Sequence, residues 1–227
     1  MLRAMYLPSQ FKGEWLQHAV PLLRAHPFAS LVSTDDSGLP FVSHLPLQLQ
    51  EAASGLATDA VLLGHVARGN PHWRYLAARP RSVVTCLGAH AYLSPQVYPD
   101  LVRVPTWNYL AVHCSVEAVL IEAPDAKDAL LKKLIGAHEP AYAAQWRGLD
   151  ADYQRKMLAG IVGFELRVTG FECKLKLNQH RPEAHDATVR MYEAGTSDQQ
   201  TLAEWMQRIK IEKAEMAAKD AAQKDAK

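Results

Sequence analysis

Three short runs of this chain hold the residue types that could do chemistry. The first is GHVARGNPHWR, residues 64–74, which follows an aliphatic, β-branched run over 61–66. That run reads as a short strand, and a helix should start directly after it, with Asn70 as N-cap and Pro71 at the first helical position. Strand, tight loop and helix N-terminus would then gather backbone N–H groups, the Arg68 fork and the positive end of a helix dipole in one place. That is a ready site for an anionic group such as a phosphate. The same eleven residues equally describe a capped surface helix with one stray arginine. The second run is TWNYLAVH, residues 106–113, where strand alternation puts Trp107 and Tyr109 on one face and Thr106 and Asn108 on the other. An aromatic and an amide there could stack on and hydrogen-bond a flat heterocycle, although a tryptophan at the start of a barrel strand is more often core. The third is KLKLNQHRPEA, residues 174–184, with three cations and two amides about a strand end. It could contact a phosphate or a ring edge, or simply be a solvated connection.

Several other chemistries lack their signatures. Ten histidines occur without an HExxH or similar spacing, so no metal site is expected. No GxSxG nucleophile elbow, GxGxxG fingerprint or GxxxxGK[ST] loop is found, and no catalytic residue is assigned. Cys86, Cys114 and Cys173 are far apart and form no CxxC, which points to reduced, buried thiols rather than a disulfide framework. A net charge of +1 exerts no general pull on nucleic acid or anionic membrane, and no basic recognition helix is evident, so direct DNA binding is doubtful. The first ten residues lack a signal-peptide core and no run approaches the roughly 20 apolar residues of a membrane span, so the chain is expected to be cytoplasmic.

The elements that must position these runs can be read in order. Residues 13–25 have apolar residues at helical spacing, with Pro21 forcing a kink or a restart. Residues 28–34 and 39–49 flank the turn residues Asp35–Gly38 and predict a β-hairpin. Within its second strand Phe41, Ser43, Leu45 and Leu47 share one face and His44 lies on the other. Further strands are expected over 82–92, over 105–122 as one strand or two joined by a bulge, and over 161–177 with a break at Gly170. The loop between the first two of these spans 94–104. Helices are expected from Pro124 to a close at Gly136, around 152–158, and over 182–193 with Gly195 as C-cap. A capping box of Thr201 with Glu204 should open a last helix, which becomes a solvated, fraying tail beyond Lys210. Five or six antiparallel strands with few helices make the fold mainly β with peripheral helices, a barrel. The expected division is a domain over 1–196 and a C-terminal helical extension over 197–227.

In this order, the hairpin FASLVSTDDSGLPFVSHLPL, GHVARGNPHWR, HAYLSPQVYP with VPTWNY and VH, and KLNQHRPEA resemble the PaiB-type FMN-binding negative transcriptional regulators. The likeness runs from about Met5 to Ala194. It implies an FMN-binding split β-barrel, antiparallel and Greek-key-like, that forms a homodimer with the flavin near the subunit interface. By position, Ser43, His44 and Leu45 match the strand along the flavin, and His65, Val66, Ala67, Arg68 and Asn70 match the segment at the ribityl chain and phosphate. Lys176, Gln179 and Arg181 match a motif expected to reach the cofactor from the other subunit, and Trp107 is the candidate stacking residue. The chain departs from the family pattern at Asn178 and His180, at Gly69, and at Gln96 and Val97. Two other activities fit a chain of this kind: an FMN-dependent oxidoreductase of the split-barrel type, and a haem-handling split barrel with a histidine as axial ligand.

Overall fold

The structure is a computed structural model that describes residues 5–100 and 102–225. Residues 1–4, at the start of the expected first domain, Leu101 in the expected loop, and residues 226–227 at the end of the expected extension lie outside it. The strands are β1 (Lys12–Gly13), β2 (Phe28–Thr34), β3 (Pro40–Pro46), β4 (Gln48–Gln50), β5 (Val61–Ala67), β6 (Arg81–Leu93), β7 (Thr106–Ile121) and β8 (Ile161–Lys176). The helices are α1 (Val20–Ala25), α2 (His72–Ala78), α3 (Pro124–His138), α4 (Tyr142–Gly148), α5 (Ala151–Ala159), α6 (His185–Glu193) and α7 (Ser197–Asp225). One eight-stranded sheet runs in the order β3-β2-β6-β7-β8-β5-β4, with β1 on β8. The pairs β2–β3, β2–β6, β4–β5 and β5–β8 are antiparallel. Its end strands β3 and β4 do not pair with each other, so hydrogen bonds do not close the sheet. The architecture is mainly β with peripheral helices, as the sequence predicts; β1 is added, too short to show a period, and the expected strand over 39–49 is split at Leu47 into β3, which pairs with β2, and β4, which pairs with β5 at the other end of the sheet order.

The chain forms two compact units. The first is built on Gly13–Cys86 and Ala111–Cys173. Its hairpin pairs Leu31 with Ser43 and Ala29 with Leu45, so the expected alternation holds: Ser43 and Leu45 are buried and His44 is exposed. The turn is fastened by Asp35, whose Oδ1 accepts from Ser37 N, Ser37 Oγ and Leu39 N at 2.7–2.9 Å. At Pro21 the restart is taken: a π-helical turn over Trp15–Ala19 hands over to α1, which absorbs the missing proline N–H. Gly64 is fixed by packing, since a Cβ there would lie 2.6 Å from Leu47 Cδ2 and 2.9 Å from Phe164 Cε2. Leu130 and Leu134 of α3 pack with Leu63, but α3 runs through Gly136 to His138. The stop comes from Pro140, which disfavours helical backbone at Glu139; one glycine inside a helix is only a mild penalty. The strand at Gly170 is likewise unbroken, because β8 lies inside the sheet, between β7 and β5. Cys86, Cys114 and Cys173 are buried and free, and burial raises their thiol pKa values to about 11, 12 and 12.

The second unit comprises Leu7–Lys12, Leu87–Leu110 and the chain from Lys174 on. Tyr192 of α6 and Leu202 and Met206 of α7 are buried, with the Tyr192 hydroxyl donating to Tyr92 O at 3.2 Å. The capping box opens α7 one turn earlier than expected. Thr196 N donates to Gln199 Oε1 at 2.8 Å and Gln199 N to Thr196 Oγ1 at 3.4 Å, while Thr201 lies inside the helix. Ala194 rather than Gly195 is the C-cap of α6. Gly195 is needed instead for room, since a Cβ there would lie 2.0 Å from Gln199 Oε1.

Candidate functional site

In the first unit, strand β5 delivers the loop 68–71 to the start of α2. α2 starts one residue later than expected, with Pro71 as its N-cap, and Asn70 serves it from the residue before, its Oδ1 accepting from His72 N at 3.0 Å. Its other end, Nδ2, donates to Ser43 Oγ at 3.0 Å, so strand β3 and the loop are tied together. Ser43 Oγ also meets His72 Nδ1 at 2.8 Å, His72 Nε2 meets Ser33 Oγ at 2.8 Å, and Ser33 Oγ meets Ser82 Oγ at 2.8 Å. A buried polar chain thus runs Asn70–Ser43–His72–Ser33–Ser82. His72 is 0% exposed, and burial pushes its pKa down to about 4, so it is neutral at physiological pH. Phe41 sets its ring edge-on to the imidazole, with centroids 5.1 Å apart.

Arg68 is turned to the connection between α5 and β8. Its Nε donates to Ala159 O at 3.0 Å, Nη2 to Ile161 O at 3.4 Å, and Arg68 N to Gly160 O at 2.8 Å. Glu122 lies 3.9 Å from Nη2. Buried Lys127 donates to Leu158 O at 2.6 Å, so two cations meet the carbonyl end of α5, where the helix dipole favours positive charge. Burial and then Arg68 lower the Lys127 pKa, and Glu122 opposes them. Two of the five guanidinium N–H donors of Arg68 are spent on carbonyls, and the side chain is 42% exposed. Trp73 donates to Arg68 O at 3.1 Å and is faced by the guanidinium groups of Arg68 and Arg74. In the same strand His65 is half-buried with its pKa lowered by burial, Val66 is buried and Ala67 exposed. His44, on the outer face, meets Ser30 Oγ at 2.9 Å.

In the second unit, Trp107 is 54% exposed, against the usual placing of a barrel tryptophan in the core. Its ring lies 6.3 Å from that of Tyr92, also exposed, and 6.2 Å from that of His90. Lys176 Nζ donates to Thr106 Oγ1 at 2.6 Å and to Trp107 O, and its pKa is lowered by burial and then by Lys174. Gln179 is folded back on its own turn, Oε1 accepting from Leu177 N at 2.9 Å and Nε2 donating to Leu175 O at 2.6 Å. Arg181 is half exposed, 4.0 Å from Glu183.

The structure therefore joins Ser43 to Asn70, and Trp107 to Lys176. It holds Arg68 on the α5–β8 connection and Gln179 on the 175–179 turn. His72, at the hub of the polar chain, was not among the sequence candidates. Its spacing of four from the buried Leu76 on α2 is the signal that could have marked it as inward-facing.

Residues 5–170 match the model of a family described as "Putative FMN-binding domain". The chain belongs to this FMN-binding-domain family. It is 33% identical over 184 residues to the Bacillus subtilis protein named "Protease synthase and sporulation protein PAI 2", with 79% of this chain and 84% of that protein covered. Among solved structures it is similar to the FAD and haem binding protein of Mycobacterium smegmatis, with a TM-score of 0.51, 23% identity and 68% of each chain covered. It is also similar to the flavocytochrome Anf3 of Azotobacter vinelandii, with a TM-score of 0.52, 18% identity, and 69% of this chain and 64% of that one covered. At these identities the two likenesses establish the fold of this family member, an open antiparallel split barrel. Among the described residues no helix is long and apolar enough to cross a membrane.

Proposed function

We propose that this chain binds FMN specifically, as a cytoplasmic homodimer with the flavin near the subunit interface, and that it serves as a PaiB-type regulator. The observation that carries the reading is the family match over residues 5–170, which takes in both the β2–β3 hairpin and the 64–74 run. The residues present fit the cofactor. Arg68 keeps donors beyond those it spends on Ala159 and Ile161, enough for a phosphate oxygen, and a partly exposed guanidinium needs little desolvation to make that bond. Exposed Trp107 and Tyr92 offer a flat apolar surface for a ring. The polar chain through His72 fixes Ser43 and Asn70, so β3 and the 68–71 loop present a rigid backbone. FMN, when bound, supplies hydride or electron transfer; the protein supplies position and charge. Lys176, Gln179 and Arg181 approach from the partner subunit, together with Trp107 of the partner subunit, whose carbonyl Lys176 holds within one chain.

A shared site makes a specific demand of a two-fold dimer. Arg68→Ala and Arg181→Ala proteins each bind FMN weakly, but their heterodimer holds one intact pocket and one doubly damaged pocket. Titration of verified heterodimers with FMN therefore finds about half of the sites at wild-type affinity, by the symmetry of an isologous pair. Heterodimers that bind no better than either parent would place both residues in one subunit's pocket and overturn the shared site.

A further inference from the structure

At the end of β8 the second unit makes a tight turn before α6. Asn178 adopts φ 59, a left-handed conformation that asparagine tolerates better than most residues. The two Gln179 bonds and a bond from Arg181 N to Asn178 O of 2.9 Å hold it there. The side chain of Asn178 is consequently fixed and nearly fully buried. Tyr98 donates to its Oδ1 at 3.1 Å, yet its Nδ2 meets no acceptor among the described residues. A buried donor without an acceptor is costly, and native proteins keep few of them. Asn178 is also a lining residue of a cleft of about 220 Å³ bounded by the turn, α6 and α7.

The walls of the cleft differ in kind. Leu177, Met206 and Ile209 are buried apolar residues that form its floor. At the rim stand Lys210 and Lys213, one turn apart on α7, with Arg181 from the turn. Asp186 is the lone acid of the lining, and it is already engaged by His185 Nδ1 at 2.9 Å and Lys210 Nζ at 3.1 Å, which hold its carboxyl below the usual range. With Glu183, 4.0 Å from Arg181, counted beside Asp186, three cations face two carboxylates and the rim stays net positive.

We propose that this cleft binds a small organic carboxylate. Its apolar body lies on Leu177, Met206 and Ile209, its carboxylate meets Lys210 and Lys213, and the Asn178 amide, turning its unpaired Nδ2 toward the cleft, supplies the directional donor. The cleft lies on residues 177–213, beyond the 5–170 family match; it shares Gln179 and Arg181 with the proposed flavin site, so its test is made at Lys210 and Lys213, which that site does not include.

Calorimetric titration of the purified full-length chain with benzoate and hexanoate, and with benzyl alcohol and hexanol as neutral counterparts, tests it. At least one carboxylate binds saturably, one per chain, and at least tenfold more tightly than its alcohol. The exposed pair Lys210→Gln/Lys213→Gln weakens it at least tenfold, and Asn178→Gly, which keeps the backbone conformation and removes the donor, weakens it severalfold. Flavin binding is unchanged in the lysine variant. No saturable binding of either carboxylate at tens of millimolar, equal binding of the alcohols, or full affinity in the lysine variant would overturn the proposal.

Discussion

Arg68 and His72 show how differently two residues of one short run are used. Arg68 closes the carbonyl end of α5 and also has donors left for a phosphate, so its removal has two consequences that ligand choice separates. Arg68→Ala should weaken FMN by about 1.5–3 kcal/mol, the value of a charge-assisted hydrogen bond, and riboflavin, which lacks the phosphate, far less. Parallel titrations with the two ligands check this, and equal losses would leave Arg68 only its structural role. His72 instead makes stability depend on pH. Its folded pKa of about 4 lies below the unfolded 6.5, so the unfolded state binds the extra proton. The stability it confers is complete above about pH 6.5 and is lost as pH falls toward 4, a change of about 3 kcal/mol. Urea unfolding at pH 7.0 and 4.5 should show the wild-type advantage over His72→Gln shrinking at the lower pH. An advantage independent of pH would contradict the buried, neutral imidazole.

At the scale of elements, what was legible in the sequence depended on how local the cause was. The hairpin and the strand at residue 61 declare themselves through β-branched alternation and turn residues, and Asn70 takes the first N–H of α2 as its residue type dictates, one residue ahead of the Pro71 N-cap. Gly136 and Gly170 misled because a glycine's small local penalty was outweighed, at Gly136 by Pro140 as the true stop and at Gly170 by a strand on either side of β8. The start of α7 misled for another reason: Thr196–Gln199 and Thr201–Glu204 have the same spacing, and only the fit of Gln199 over Gly195 decides between them. Thermal unfolding can therefore separate the two. Thr196→Ala should cost about 1 kcal/mol and Thr201→Ala clearly less. The reverse order would move the cap. Within the candidate site, Ser43, Asn70 and Arg68 could be nominated from pattern and resemblance. The link from Ser43 through His72 to Ser33 and Ser82 could not, because it joins residues distant in sequence through side chains alone.

For the whole molecule, an open sheet whose end strands do not pair with each other is an incomplete barrel, and its long strand β7 is covered unequally. Leu110, Val112, Cys114 and Val116 are buried, whereas Trp107 and Val119 on the alternate face are exposed. Exposed apolar side chains on a sheet face are what a partner subunit or a planar ligand would cover. Net charge near zero gives the molecule little to offer a nucleic-acid backbone, so a regulatory output through direct, salt-resistant DNA contact is not expected of the isolated chain. Cofactor choice is the central claim, and the most direct measurement is the identity and amount of ligand that the purified protein retains from a mixture. The chain is purified, saturated with a mixture of FMN, FAD and haem, desalted, denatured, and its released ligands are separated and quantified. The account predicts FMN close to one per chain with little FAD and no stoichiometric haem; protein that retains FAD or haem in its place, or no flavin at all, would contradict it.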